Sequence, residues 1–223
     1  MRPGVRWRRS ERRVEAQRRS MSAGQDDVLT IGELLARVRT SYVDSFARRL
    51  ASASRAAGER LIPEVTVCQA DGEVARAGAL DLPRRADACV FADEVIAGLV
   101  HFDSEEMLAF EPLSLVWGDG LDVDLYPFTW DACELRFTPP EDDDLGPLVA
   151  WFRRWFDEGD ERALTNEFPG GVVHSLSEPV EDGDSWIIVV DLGSARLRAF
   201  EELLDAISAM GRPRLVVGRP QRL

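Results

Sequence analysis

Apolar side chains recur at three- and four-residue steps through Ile31, Leu35, Val38, Tyr42, Phe46 and Leu50, which lays one apolar stripe along a helix. Thr30-Ile31-Gly32-Glu33 has the Thr-x-x-Glu form of a capping box, in which the two side chains serve backbone N–H groups that a first helical turn leaves unpaired. The pattern predicts a helix that begins at Ile31, runs to about Ala57 and stops at Gly58.

Between residues 61 and 103 the alternation is poorer. Glu64–Gln69, Glu73–Arg76 and Ala88–Ala92 read as short strands around a turn at Asp71-Gly72. Leu82-Pro83 with Arg84-Arg85 reads as a loop, and residues 93–98 fit a helical turn or a strand. The second half is patterned more sharply. Met107–Trp117, Leu121–Tyr126 and Trp130–Phe137 read as successive strands, and in the second of these Leu121, Val123 and Leu125 alternate with Asp122 and Asp124, so one face is dry and the other wet. Asp144 precedes a helix with Leu145, Leu148, Val149, Phe152, Trp155 and Phe156 on its apolar face and Pro147 in its first turn. Gly171–Ser177 and Ser185–Asp191 then read as strands joined by Glu181-Asp182-Gly183-Asp184, with Ile187–Val190 apolar on both faces and expected near the sheet centre. Ser194 is the expected cap of a helix carrying Leu197, Phe200, Leu203, Leu204, Ile207 and Met210 inward, and Arg214–Gly218 makes a last strand.

The fold class that follows is α+β: a mainly antiparallel sheet with helices packed on one face, in the order β-β-β-α-β-β-α-β, preceded by a long N-terminal helix. Three segments are expected: an Arg-rich extension over 1–27, an N-terminal lobe over 28–105, and the α+β domain over 106–223. Residues 1–27 lack apolar periodicity and suit a disordered extension.

Charge narrows the choice of partner. Residues 1–20 hold eight Arg and two Glu, whereas the remaining 203 residues hold 19 Arg and 38 acids and stand at −19. Between Ala86 and Ala150 sixteen acids face one base, Arg136. A field of that sign repels nucleic acid and anionic lipid and favours a basic partner. Every one of the 27 basic residues is Arg, so chemistry that needs a lysine is excluded, including Schiff-base catalysis, the phosphate-loop lysine and the kinase strand lysine. No run approaches the ~20 apolar residues of a membrane span. The Arg-rich start lacks the apolar stretch of a secretory signal. Cys68, Cys89 and Cys133 are spaced too widely for a zinc or redox pair and read as free thiols, which suits the cytoplasm.

Catalytic signatures are missing. The chain has no Gly-x-Ser-x-Gly elbow, Gly-x-Gly-x-x-Gly fingerprint, phosphate loop or His-Glu-x-x-His helix. Of two histidines, His174 could act as a general base, but Ser175 beside it points to the other face of a strand; His101 carries less. A calcium loop starting at Asp119 fails, because Trp130 stands where a bidentate Glu is needed. No catalytic residue, metal or cofactor is therefore expected. Glu141–Asp144 suit the start of a helix, where acids meet free N–H groups. What remains is an acidic sheet face of Asp122, Asp124 and Glu134, with Trp117 and Trp130 at the strand ends, expected to meet a basic protein partner. Small, acidic, α+β and without catalytic motifs, the chain is similar in composition to the immunity proteins that inhibit secreted toxins. The alternative is a carboxylate- or metal-assisted hydrolase built on Asp119, Asp122, Asp124 and His174.

Overall fold

The computed structural model describes residues 30–57, 60–92, 95–104, 106–140, 144–159 and 170–219. The predicted extension over 1–27, the Gly58 stop and acids 141–143 lie outside them. Helix α1 spans Ile31–Ala57 and opens on the predicted capping box. The Thr30 N–H donates to Glu33 Oε2 at 2.8 Å, and the Glu33 N–H donates to Thr30 Oγ1 at 3.2 Å. Leu35, Val38, Tyr42 and Phe46 are buried along its stripe.

A three-stranded antiparallel sheet follows, with β1 (Arg60–Thr66) and β5 (Val95–Val100) flanking β4 (Arg85–Ala92). Between them, β2 (Arg76–Ala77) pairs with β3 (Leu82–Pro83). The segment expected as a loop is thus partly strand. Arg85 is its anchor: the buried guanidinium donates to the carbonyls of Glu64, Phe156 and Asp157 and lies 4.8 Å from the Phe156 ring centre.

The main sheet contains β6 (Leu113–Trp117), β7 (Leu121–Leu125), β8 (Cys133–Phe137), β9 (Ser175–Leu176), β10 (Val180–Asp182), β11 (Ser185–Asp191) and β12 (Arg214–Val217). Its order is β10-β11-β8-β12-β7-β6, with β9 also on β11. Pairing is antiparallel except for β12 with β7. Helices α2 (Gly146–Phe156) and α3 (Leu197–Ala209) share one apolar cluster with α1 and with the inward residues of the sheet, among them Leu121, Val123, Leu125, Leu135, Ile188 and Leu215. Each such large side chain contributes on the order of 1.5–3 kcal/mol through burial. The α+β class read from the patterning is the observed one.

Several local expectations change. The first strand of the second half is confined to Leu113–Trp117, because Pro112 has no N–H to give a ladder while Leu108 and Phe110 turn onto the core. Strand β9 is two residues long, its predecessors Val172 and Val173 being buried outside any ladder. Strand β11 stands second from the sheet edge, not centrally; β8 and β12 occupy the middle. Ser194 does not cap α3. Its hydroxyl accepts from the N–H groups of Gly171 and Val172, at 2.8 and 3.3 Å.

Candidate functional site

Strand alternation brings Asp122, Asp124 and Glu134 to the face of the main sheet opposite the apolar cluster. Their neighbours there are Ser114 and Val116 on β6, Arg214 and Val216 on β12, Arg136 on β8, and Ile187 and Val189 on β11. Asp122 is exposed. Asp124 accepts from Ser114 Oγ at 2.6 Å and from Arg214 Nη2 at 2.6 Å. Partial burial would raise its pKa, but the Ser114 hydroxyl and the Arg214 guanidinium outweigh that and lower it. Glu134 is buried beneath Arg219, with Arg136 at 3.7 Å; Arg136 also reaches Asp182.

Two of the three acids are therefore internally matched. Asp122 is exposed beside them, and Asp119 and Asp184 are exposed in the turns at the sheet's ends, whereas Glu181, paired with Trp186, points to the helix side. Half-buried Val116, Val216, Ile187 and Val189 lie between the charges, and Val180 and Met107 are exposed at the margin. A cleft of about 410 Å³ opens between Met107, Pro127, Val189 and Arg219, and another of about 260 Å³ between Ser114, Val116, Asp122 and Arg214.

The two tryptophans belong to the other side. Trp117 packs on the apolar cluster and its indole N–H donates to Asp205 at 2.7 Å. Trp130 is fully buried, stacked on Phe200 with ring centres 5.8 Å apart.

A second constellation surrounds His174. Glu64 and Asp87 fall opposite each other in the β1–β4 register, Asp191 ends β11, and His174 precedes β9. The imidazole is 1% exposed. Its Nε2 lies 3.1 Å from Glu64 Oε1, while Nδ1 lies 3.1 Å from Asp87 Oδ1 and 3.6 Å from Asp191 Oδ2. Among the described residues Nδ1 has no aligned hydrogen-bond partner, and neither does the buried Tyr42 hydroxyl.

Each group is held from behind. Glu64 Oε2 accepts from the Gly170 N–H at 2.7 Å, and Asp87 Oδ2 from the Phe102 N–H at 2.6 Å. Glu64 occupies the left-handed region, at φ 52°, a conformation that costs of order 1–3 kcal/mol and is retained here with its side chain turned to His174. Gly193 makes room for the ring: a Cβ at that position would stand 2.3 Å from His174 Cδ2.

Desolvation acts on His174 to lower its pKa, but the charge of Asp191 and contacts with Asp87 and Glu64 outweigh it and raise the value well above the ordinary one. Desolvation likewise opposes ionisation of Glu64, and its bonds to His174, Ser194 and Gly170 prevail, leaving its pKa lowered. Among the described residues His174 is thus the one basic side chain facing all three acids, Glu64, Asp87 and Asp191.

Sequence reasoning singled out His174 but missed Glu64, Asp87 and Asp191. The available signal was an acid between two buried alanines, Ala86-Asp87-Ala88, and a strand ending in Asp191 just before Gly193. His101, exposed and 3.9 Å from Asp87 Oδ2, stands outside the enclosed group. Asp119, Asp122 and Asp124 do not converge on His174: the latter two project from the open sheet face, and His174 is enclosed by other acids. Among the described residues no helix is long and apolar enough to cross a membrane. No family model, curated protein or solved structure matches this chain.

Proposed function

We propose that this chain is a non-enzymatic protein-binding module that receives a basic protein on the open face of its main sheet. One observation carries the reading: a broad sheet face opposite the helices alternates charged groups with half-buried Val116, Val216, Ile187 and Val189. Such a surface offers apolar area for contact and a polar pattern for selecting what makes it. The exposed Asp122 on it and Asp184 in the turn at its edge, together with a body at −19 beyond residue 20, favour a cationic partner. Asp124 and Glu134 serve by holding Arg214 and Arg219 in fixed positions, and so contribute pattern more than net charge. The immunity-like inhibitor is the narrower form of this reading.

The test uses the full chain, a short poly-arginine peptide and titration calorimetry at low and high salt. Binding should weaken as salt rises, and Asp122→Asn with Asp184→Asn should reduce affinity several-fold, whereas Glu73→Gln with Glu201→Gln should leave it near the parent value. Equal losses from both pairs would mean diffuse charge attraction and would overturn the assignment to this face.

A further inference from the structure

We propose that Asp87, His174 and Asp191 form a binding site for one first-row divalent transition ion, with Glu64 orienting the imidazole from behind. The inference is independent of the sheet face and would stand if that face bound nothing. One oxygen from each carboxylate and one histidine nitrogen lie within 4.8 Å of one another. Donors at ~2.1 Å from a tetrahedral ion stand about 3.4 Å from each other. The spacings of 3.1 Å and 3.6 Å from Nδ1 to its two carboxylate neighbours bracket that value.

The orientation of the ring supports the same conclusion. Glu64, itself anchored by the Gly170 and Ser194 N–H groups, faces Nε2 and favours the proton there. That leaves Nδ1 turned toward two carboxylates, its side chain 1% exposed and, among the described residues, without an aligned hydrogen bond. A carboxylate behind a histidine whose other nitrogen faces further anionic donors is the arrangement that fixes the tautomer of a metal-binding imidazole. Three buried or half-buried acids around one ring also leave excess negative charge, which a divalent ion reduces. The buried Tyr42 hydroxyl, without a hydrogen-bond partner among the described residues, lies in the field of the same acids. One imidazole with two carboxylates suits a transition ion over calcium or magnesium, which take all-oxygen shells.

The experiment titrates the full chain with Mn²⁺ and with Zn²⁺ in a His101→Gln background, so that His174 is the only histidine. Calorimetry gives stoichiometry, and the electron spin-echo of bound Mn²⁺ detects a directly coordinated nitrogen. One ion per chain, a nitrogen coupling, and affinity at least tenfold lower in Asp191→Asn are expected. Glu64→Gln should weaken binding by roughly tenfold while keeping the nitrogen coupling, and Glu201→Gln should change nothing. Asp191 is the most exposed of the three donors, so its variant is the one expected to stay folded, with circular dichroism as the check. Absence of binding, of nitrogen coupling, or of any response to Asp191→Asn in a folded protein would overturn the proposal and leave the group an ionic core around a proton.

Discussion

At the scale of single residues, backbone freedom and burial decide more than charge count. Gly193 has φ +48°, and a Cβ there would stand 2.7 Å from the Val172 carbonyl oxygen and closer still to the His174 ring. Gly211, at φ +71°, has nothing within 4 Å of its would-be Cβ. Gly193→Ala is therefore expected to lose more than about 2 kcal/mol, strain and collision together, and Gly211→Ala only about 1 kcal/mol of backbone strain. Denaturant unfolding of the two variants gives the comparison, and equal losses would mean that the His174 packing yields easily.

The thiols offer a second check. Cys68 is exposed, whereas Cys89 and Cys133 are buried and burial pushes their thiols up in pKa. A thiolate reagent should modify one cysteine in the native protein and all three after unfolding. Two rapid native modifications would show that β4 or β8 opens readily. The presence of three cysteines without a close pair was visible in the sequence; which one faces water was not, because it depends on strand partners far along the chain.

At the scale of elements, local patterning was most readable where one face is plainly apolar. The capping box and stripe of α1, the alternation of β7 and the span of β11 all follow it. It was least readable where a segment is short or borrows its partner from afar. Leu82-Pro83 and Arg85 looked like a loop because Pro and paired Arg are polar turn signals, yet Arg85 is fixed by carbonyls of Glu64, Phe156 and Asp157. Ser194 looked like a helix cap because nothing local shows that Gly171 and Val172 supply the competing N–H groups.

Two substitutions test elements. Phe46→Ala on α1 removes a fully buried ring that lies 6.3 Å from the His174 ring centre, and should cost roughly 3–5 kcal/mol in equilibrium unfolding. Asp124→Asn on β7 should cost no more than about 1 kcal/mol at neutral pH, since its ion pair with Arg214 is partly solvated. The Asp124 pKa is lowered in the folded state, so its contribution is present above the ordinary carboxylate value and lost as pH falls through the folded value. Parent and variant should converge in stability below that point; a gap that persists in acid would assign the effect to packing instead.

For the whole molecule, the sequence's long acidic stretch separates into parts with different work. Asp87 belongs to the enclosed His174 group, Asp131 holds the Ser104 N–H and hydroxyl, Asp144 bonds the Gly146 N–H at the start of α2, and Asp124 and Glu134 fix arginines on the open face. The acidic face was legible in the alternation of Leu121–Leu125, but the matching arginines were not, since Arg214 and Arg219 come from the last strand and beyond. Of the His174 group only the histidine stood out, for the same reason: its acid partners come from three other segments, and only the register of β1 with β4 brings Glu64 beside Asp87. Chain-wide charge, by contrast, needs no register and was read in full.

The central claim is that the open sheet face, not the general negative charge, receives a basic partner. Amide resonances of the full chain, followed by NMR as poly-arginine peptide is added, test this most directly. Shifts concentrated on β6, β7, β12, β8 and β11, and suppressed in Asp122→Asn with Asp184→Asn, are the predicted result. Shifts spread over acids on every side, or centred on exposed Glu201 and Glu73, would contradict it.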